Sequence, residues 1–287
     1  MDESENNTQG FSMGFDMTLR TRKPRICQWF YSTEGEGGAI GEQSLYIRLG
    51  VCNLTCKFCD TKFSWTENNK DPYYDDTSLL NAVKFAIAGR DIKRITITGG
   101  EPLLHMEHFV DIIDKLKNEC GCDITHLGIE SNGSVLFSKE NAITLLKVFN
   151  KLRKKFGLKI RLTISPKIDA STSWTHTSFI QEDVDNLYDR VYENTETILN
   201  IYGTNYKFVY DCDNDVIDFE HTLKMINKLI YVHEVPRRNI LLMPLTPDDP
   251  TGKGENEWKR SKYKTARKAM DLGIRFSPRL HVDLEMD

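Results

Sequence analysis

A chain of 287 residues, 39% apolar and 28% charged, has the length and composition of one globular α/β domain with a sizeable core. Its formal net charge of −4 gives no overall attraction to nucleic acid or to an anionic membrane. It contains no run of about 18 apolar residues with which to span a bilayer.

The acidic, polar start, Met1-Asp2-Glu3-Ser4-Glu5, lacks the basic end and apolar stretch of an export signal, so the cytoplasm is the expected location. Residues 1–26 show no apolar periodicity and are read as a flexible extension ahead of one domain over 27–287. Its basic run, Arg20 to Arg25, has no interleaved aromatic residue and reads as a solvated arm rather than a nucleic-acid contact. The chain then alternates. β-rich runs fall at 44–49, 94–98, 126–129, 161–165, 206–210 and 239–243, and helical spacing at 78–88, 106–118, 139–156, 182–200, 219–232 and 258–272. A β-like piece at 279–284 closes the sequence, and the polar stretch 169–181 reads as an inserted loop. Such alternation predicts βαβ units and a mainly parallel sheet. Six units are fewer than the eight of a complete barrel, so the expected fold is a partial barrel with a curved sheet.

The unusual residues stand just after the strands. Cys52, Cys56 and Cys59 follow the first predicted strand, Gly99-Gly100-Glu101-Pro102 the second, Glu130-Ser131-Asn132-Gly133 the third, and Ser165-Pro166-Lys167 ends the fourth. In parallel α/β folds the carboxyl ends of neighbouring strands share the face that carries the active site.

Seven cysteines are an odd number, and a disulfide framework is not expected in a reducing compartment. The C-x3-C-x2-C spacing of Cys52, Cys56 and Cys59 suits three corners of an iron–sulfur cubane, whose fourth iron would stay open to substrate. A structural zinc site, or plain buried thiols, is the alternative; zinc would want a fourth ligand, usually from paired C-x2-C units. Cys27, Cys120, Cys122 and Cys212 read as small apolar residues.

The cysteine loop, with Phe58 before its last cysteine, and the later Gly99-Gly100-Glu101-Pro102 together resemble the radical S-adenosylmethionine (SAM) superfamily. The flanks are similar to the 7-carboxy-7-deazaguanine synthase family: Phe30 to Gly37 before the loop, Tyr46-Ile47-Arg48-Leu49 into it, Asp60-Thr61 after it, and Ser277-Pro278-Arg279-Leu280-His281 near the end. This resemblance spans roughly residues 27–284.

It implies a lyase that cleaves SAM at a [4Fe–4S] cluster, removes a hydrogen from 6-carboxy-5,6,7,8-tetrahydropterin, contracts the ring and releases ammonia. Cys52, Cys56 and Cys59 are the implied cluster ligands. Phe58, Asp60, Gly99, Gly100, Glu101, Ser131, Asn132, Ser165, Pro166 and Lys167 are the implied cofactor contacts. Thr33, Glu34, Gly35, Glu36, Arg48, Thr98 and His281 are the implied substrate contacts, with Arg48 suited to a carboxylate. Thr61 is the implied Mg2+ ligand. An electron donor such as flavodoxin or ferredoxin, a homodimer, and no direct partner in nucleic acid or membrane are also implied. Read without the resemblance, Arg48 is equally a snorkelling edge residue, Thr61 a turn or cap residue, and His281 an exposed strand residue.

The chain departs from the family in carrying Glu34 where glutamine is usual: a carboxylate only accepts, whereas an amide also donates. It ends in Glu285-Met286-Asp287 without the usual glycine-containing tail, and its N-terminal extension and 169–181 stretch are long. A glycyl-radical-enzyme activase and a non-enzymatic iron–sulfur or zinc-binding protein are the competing readings.

Overall fold

The computed structural model describes residues 23–66, 68–174, 180–199, 203–213 and 215–286. Residues 1–22 of the expected extension, and 175–179 of the polar stretch, lie outside the described residues.

Eight strands form one sheet in sequence order: β1 (Ile26–Thr33), β2 (Gln43–Leu49), β3 (Arg94–Gly99), β4 (His126–Ser131), β5 (Lys159–Ile164), β6 (Asn205–Tyr210), β7 (Ile240–Pro244) and β8 (Arg275–Phe276). From β2 to β8 every pairing is parallel, while β1 runs antiparallel to β2. The helices are α1 (Thr77–Ala86), α2 (Phe109–Asn118), α3 (Lys139–Phe156), α4 (Ala170–Ser173), α5 (Gln181–Asn194), α6 (Phe219–Tyr231), α7 (Glu255–Leu272) and α8 (Leu280–Asp283). This is the mainly parallel, partial-barrel architecture expected from the sequence.

Parallel strands covered on both faces need near-continuous apolar side chains. β7, Ile-Leu-Leu-Met-Pro, is buried at every position, and β3 buries its first four residues. The helices cover the outside with apolar stripes, and side chains capping their first turns set where they begin. Asp76 accepts from Ser78 N and Leu79 N ahead of α1, and Asp218 accepts from Glu220 N ahead of α6. Cys120 and Cys122 sit in the apolar core as small side chains. β1 and β8 share no ladder, and the seam between them is bridged by Leu280 N donating to Gly35 O (2.9 Å) and Gly37 N donating to Ser277 Oγ (2.9 Å).

Four expectations are corrected. The sheet starts one strand earlier, at β1, an edge strand whose Cys27, Gln28 and Ser32 dilute the apolar alternation. Residues 279–284 do not form a strand. They turn into α8, because Asp283 is drawn to α7 by Trp258 Nε1 (2.8 Å) and Lys262 Nζ (2.5 Å). The helix expected over 106–118 is split: Pro102 opens a 3-10 segment to His108, kinked at His105, and only then does α2 begin. The helix expected over 182–200 leaves α-geometry after Asn194 and continues as a π-helical turn, Thr195–Leu199.

Candidate active site

The cysteine loop leaves the carboxyl end of β2 and is fixed by its own backbone. Cys52 N donates to Trp65 O (3.1 Å), Cys59 N to Cys56 O (3.1 Å), Thr55 N to Ser173 O (3.3 Å) and Lys57 N to Thr172 O (2.8 Å). All three thiols line one cavity of about 1720 Å³. Burial pushes the Cys52 thiol up to about 12 and also raises Cys56, against the nearby Lys167 ammonium. Binding to a metal is what would deprotonate them. Among the described residues, no three His, Cys, Asp or Glu side chains close on one point as a single-ion site requires.

The glycine pair explains itself by packing. A Cβ on Gly99 would lie 2.1 Å from Leu49 O, and one on Gly100 would lie 2.1 Å from Val51 O. Gly99 also holds φ +142°, a conformation that side chains resist. Gly100 N then donates to Leu49 O (2.9 Å) and Glu101 N to Val51 O (2.8 Å), so the close approach is to the root of the cysteine loop.

Glu101 is fully buried and does not line the cavity. Its carboxyl accepts from Leu103 N (2.9 Å), Ser131 Oγ (2.7 Å) and Asn132 N (2.7 Å). Burial outweighs these donors and pushes it up to about 7. Glu101 therefore acts on the cavity through Ser131 and Asn132, which do line it.

Asn132 in turn donates to Asn53 Oδ1 (3.0 Å) inside the cysteine loop. Ser165 N donates to Ser131 O (2.7 Å), and Lys167 Nζ reaches Ser165 Oγ (3.0 Å) and stands 5.6 Å from the Phe58 ring centre. The ends of β2, β3, β4 and β5 are thus knitted into one wall.

The opposite part of the cavity is charged. The loop after β1 brings Glu34 and Glu36 into the cavity lining. Glu34 accepts from Tyr46 Oη (2.8 Å) and from Thr96 Oγ1. Glu36 accepts from Lys207 Nζ (2.6 Å) and Arg279 Nε (2.8 Å), and Lys207 also donates to Glu130 (2.6 Å). Burial alone would raise Glu36, but Lys207 and then Arg279 outweigh it and hold it well below the usual carboxylate range. Burial would likewise lower Lys207, but Glu130 and Glu36 keep it charged and above its ordinary value. Glu130 is raised by burial, with Lys207 opposing.

Arg279 further reaches Asp60 (2.6 Å) and Thr246 Oγ1 (2.6 Å), and His281 Nε2 stands 3.8 Å from Glu36. Burial lowers His281, so its ring favours the neutral form. Gly35 makes room for that ring, since a Cβ there would lie 1.9 Å from His281 Nδ1.

Arg48 is no edge residue. It lies on β2 beside Thr98 of β3, bonded to Gln28 Oε1 (2.9 Å) with the rings of Phe30 and Phe63 about it. Thr33, Glu34, Glu36, Arg48, Phe58, Asp60, Thr61, Thr98, Gly99, Gly100, Ser131, Asn132, Ser165, Lys167 and His281 all line the cavity with the three cysteines. Gly35, Glu101 and Pro166 do not. Sequence reasoning missed Lys207, Glu130, Arg279 and Tyr46 as site residues. The available signal was a lysine and a glutamate inside strands otherwise apolar, and the Pro278-Arg279-Leu280-His281 run from which only His281 was nominated.

A sequence profile described as the radical SAM superfamily matches residues 46–168, which carry the cysteine loop, the glycine pair and the ends of β4 and β5. Over that stretch the chain is similar to the radical SAM superfamily. The 7-carboxy-7-deazaguanine synthase of Halobacterium salinarum is 29% identical over 263 residues, covering 91% of this chain and 90% of its own. That of Hyperthermus butylicus is 25% identical over 262 residues, covering 91% and 93%. The crystal structure of QueE from Escherichia coli superposes with a TM-score of 0.52 at 17% identity, covering 92% of this chain and 98% of that one, and so shares the fold. Both synthases align with this chain along nearly its whole length. The donor set fits a [4Fe–4S] cluster and SAM: one buried and two half-buried cysteines on one loop, a close-packed glycine turn, and a polar wall from the strand ends.

Proposed function

We propose that the chain is a 7-carboxy-7-deazaguanine synthase, converting 6-carboxy-5,6,7,8-tetrahydropterin to 7-carboxy-7-deazaguanine by radical ring contraction with loss of ammonia. One observation carries the reading: Cys52, Cys56 and Cys59 line the same cavity as a partly buried set of fixed charges, Arg48, Glu34, Glu36, Lys207 and Arg279. A cavity of about 1720 Å³ has room for two ligands of ordinary size, whose pockets run to roughly 300–1,000 Å³ each.

In this reading the three cysteines hold a [4Fe–4S] cluster. When bound, cluster and SAM together supply reductive cleavage of the sulfonium and a hydrogen-abstracting radical. The protein's own residues orient and shield. Gly99, Gly100, Ser131, Asn132, Ser165 and Lys167 bind and orient SAM through backbone and side-chain polar groups. Arg48 takes the substrate carboxylate through charge-assisted bonds. Glu34 and Glu36 accept from the amino-pyrimidinone edge of the pterin, and Lys207 and Arg279 keep Glu36 ionised for that purpose. Tyr46 and Thr96 satisfy Glu34 from behind, which accommodates a carboxylate where the family usually has glutamine. Thr33, Thr98 and neutral His281 complete the polar lining. Thr61 supplies the hydroxyl for Mg2+, with Asp60 held beside it by Arg279.

Residues 27–287 act as one catalytic domain, as a homodimer in the cytoplasm, with reducing electrons from a flavodoxin or ferredoxin. No helix among the described residues is long and apolar enough to cross a membrane. An activase would need an entry for a protein loop, and the buried charged floor suits a small polar ligand instead.

The test is anaerobic turnover of 6-carboxytetrahydropterin by reconstituted protein with reductant, SAM and Mg2+, read by mass spectrometry. Formation of 7-carboxy-7-deazaguanine is expected. Cleavage of SAM to 5′-deoxyadenosine with the pterin unconsumed would refute the assigned substrate.

A further inference from the structure

The polar stretch read from the sequence as an insertion contributes α4, and α4 is a support for the cysteine loop. Its last two residues offer their carbonyls to that loop, Ser173 O to Thr55 N (3.3 Å) and Thr172 O to Lys57 N (2.8 Å). These two bonds flank Cys56 on either side. Asp169 fixes α4 by accepting from Ser171 N (2.9 Å), and its carbonyl receives Ser173 N (3.2 Å).

Ser173 is 1% exposed, and its hydroxyl oxygen is sealed from solvent without a hydrogen-bond partner among the described residues. Buried hydroxyls in folded proteins are nearly always paired. The two carbonyl bonds on either side of Cys56 hold this hydroxyl beside that cysteine. A neutral thiol is a weak acceptor and a thiolate a strong one, so the missing bond forms once Cys56 is a metal ligand.

We propose that Ser173 is a positioning residue whose hydroxyl donates to the cluster-bound Cys56 thiolate and raises the cluster's reduction potential. This rests on the reading that Cys52, Cys56 and Cys59 hold a [4Fe–4S] cluster. One-electron reduction makes the cluster more negative, and a donor on a ligating sulfur stabilises the reduced form more than the oxidised form. The backbone carbonyl of residue 173 still supports the loop when the hydroxyl is removed, so electronic and structural roles separate.

The experiment compares reconstituted wild type, Ser173→Ala and Ser173→Thr by iron and sulfide content, by redox titration with dithionite followed by electron paramagnetic resonance, and by thermal unfolding. Ser173→Ala is expected to keep its cluster and its unfolding temperature. Its oxidised–reduced equilibrium should shift about fivefold toward the oxidised cluster, equal to about 40 mV for a one-electron couple. Ser173→Thr, which keeps a hydroxyl, should return the potential to the wild-type value. Equal potentials in wild type and Ser173→Ala overturn the proposal, as does a Ser173→Thr potential as low as that of the alanine variant. Failure of wild type to take up iron and sulfide at all is the distinct result that refutes the cluster reading itself.

Discussion

Replacing Lys207 with methionine tests how the charged floor of the cavity is held together. Lys207 is 4% exposed and its ammonium lies 2.6 Å from both Glu36 and Glu130, so it is the shared counter-charge of two partly buried carboxylates. Methionine keeps the volume and removes the charge. Removing one partner of a buried ion pair costs about 3–5 kcal/mol, because the other charge is left without compensation. At about 2–4 °C per kcal/mol for a chain of this size, melting should fall by about 6–20 °C.

The loss should depend on pH. In the wild type, Glu36 has a lowered value, so its contribution is present above its unfolded value of about 4.5 and fades only as pH falls through the folded one. Lys207 has a raised value, so its contribution is present below 10.5 and fades only as pH rises through the folded one. Between these limits Lys207 and Glu36 are insensitive to pH, and only Glu130, raised by burial against Lys207, loses stability as pH climbs past about 4.5. In the variant, Arg279 still holds Glu36, but Glu130 keeps the burial and the neighbouring Glu36 and Glu34 that raise it, with Lys207 no longer opposing them. A carboxyl raised in the folded state is least harmful at low pH, and stability then falls as pH climbs past its unfolded value. The deficit should therefore be larger at about pH 8 than at about pH 5.5. Denaturant unfolding of the wild type, Lys207→Met and Lys207→Met/Glu130→Gln at both pH values measures this. The double variant, with no orphaned charge, should recover much of the loss. A deficit below about 1 kcal/mol, or one equal at both pH values, would refute the account of Lys207 as the structural counter-charge.

Three further outcomes follow from the geometry. Cys56→Ser should bind little iron and lose the charge-transfer absorbance of the reconstituted cluster, since three thiolates are the whole protein donor set; retained iron and absorbance would contradict the ligand assignment. Arg48→Ala should lower kcat/KM for the carboxylated pterin by about 10–150-fold, the size of a hydrogen bond to a charged group, while SAM cleavage without substrate is unchanged; an unaffected kcat/KM would remove Arg48 from the substrate site. Gly99→Ala should destabilise the fold by about 3 kcal/mol or more, because its Cβ would meet Leu49 O at 2.1 Å in a conformation reserved for glycine; unfolding at the wild-type midpoint would refute the packing role.

Much of the architecture was legible because its signals are local. The helix over 139–156 appears with the bounds its periodicity gives, and the runs at β2 to β7 appear as strands within a few residues. The cysteine spacing and the glycine turn stand within a few residues of strand ends, so their position on the active-site face followed from strand–helix alternation alone. β1 and α8 were not legible. An edge strand pairs through its backbone while its side chains alternate poorly, and α8 is decided by contacts with α7.

The sequence by itself determined the class of chemistry, because a three-cysteine loop is a contiguous donor set that needs no tertiary contact to be recognised. Only the tertiary structure decided how the rest of the cavity is charged. Glu36, Glu130, Lys207 and Arg279 come from four elements, and Glu36 and Arg279 are separated by 243 positions. No periodicity links such residues, and their charge states exist only once burial and proximity act on them together. The same holds for Glu101, which reads as a cofactor contact in a motif and is turned inward by three donors, two of them brought to it by β4.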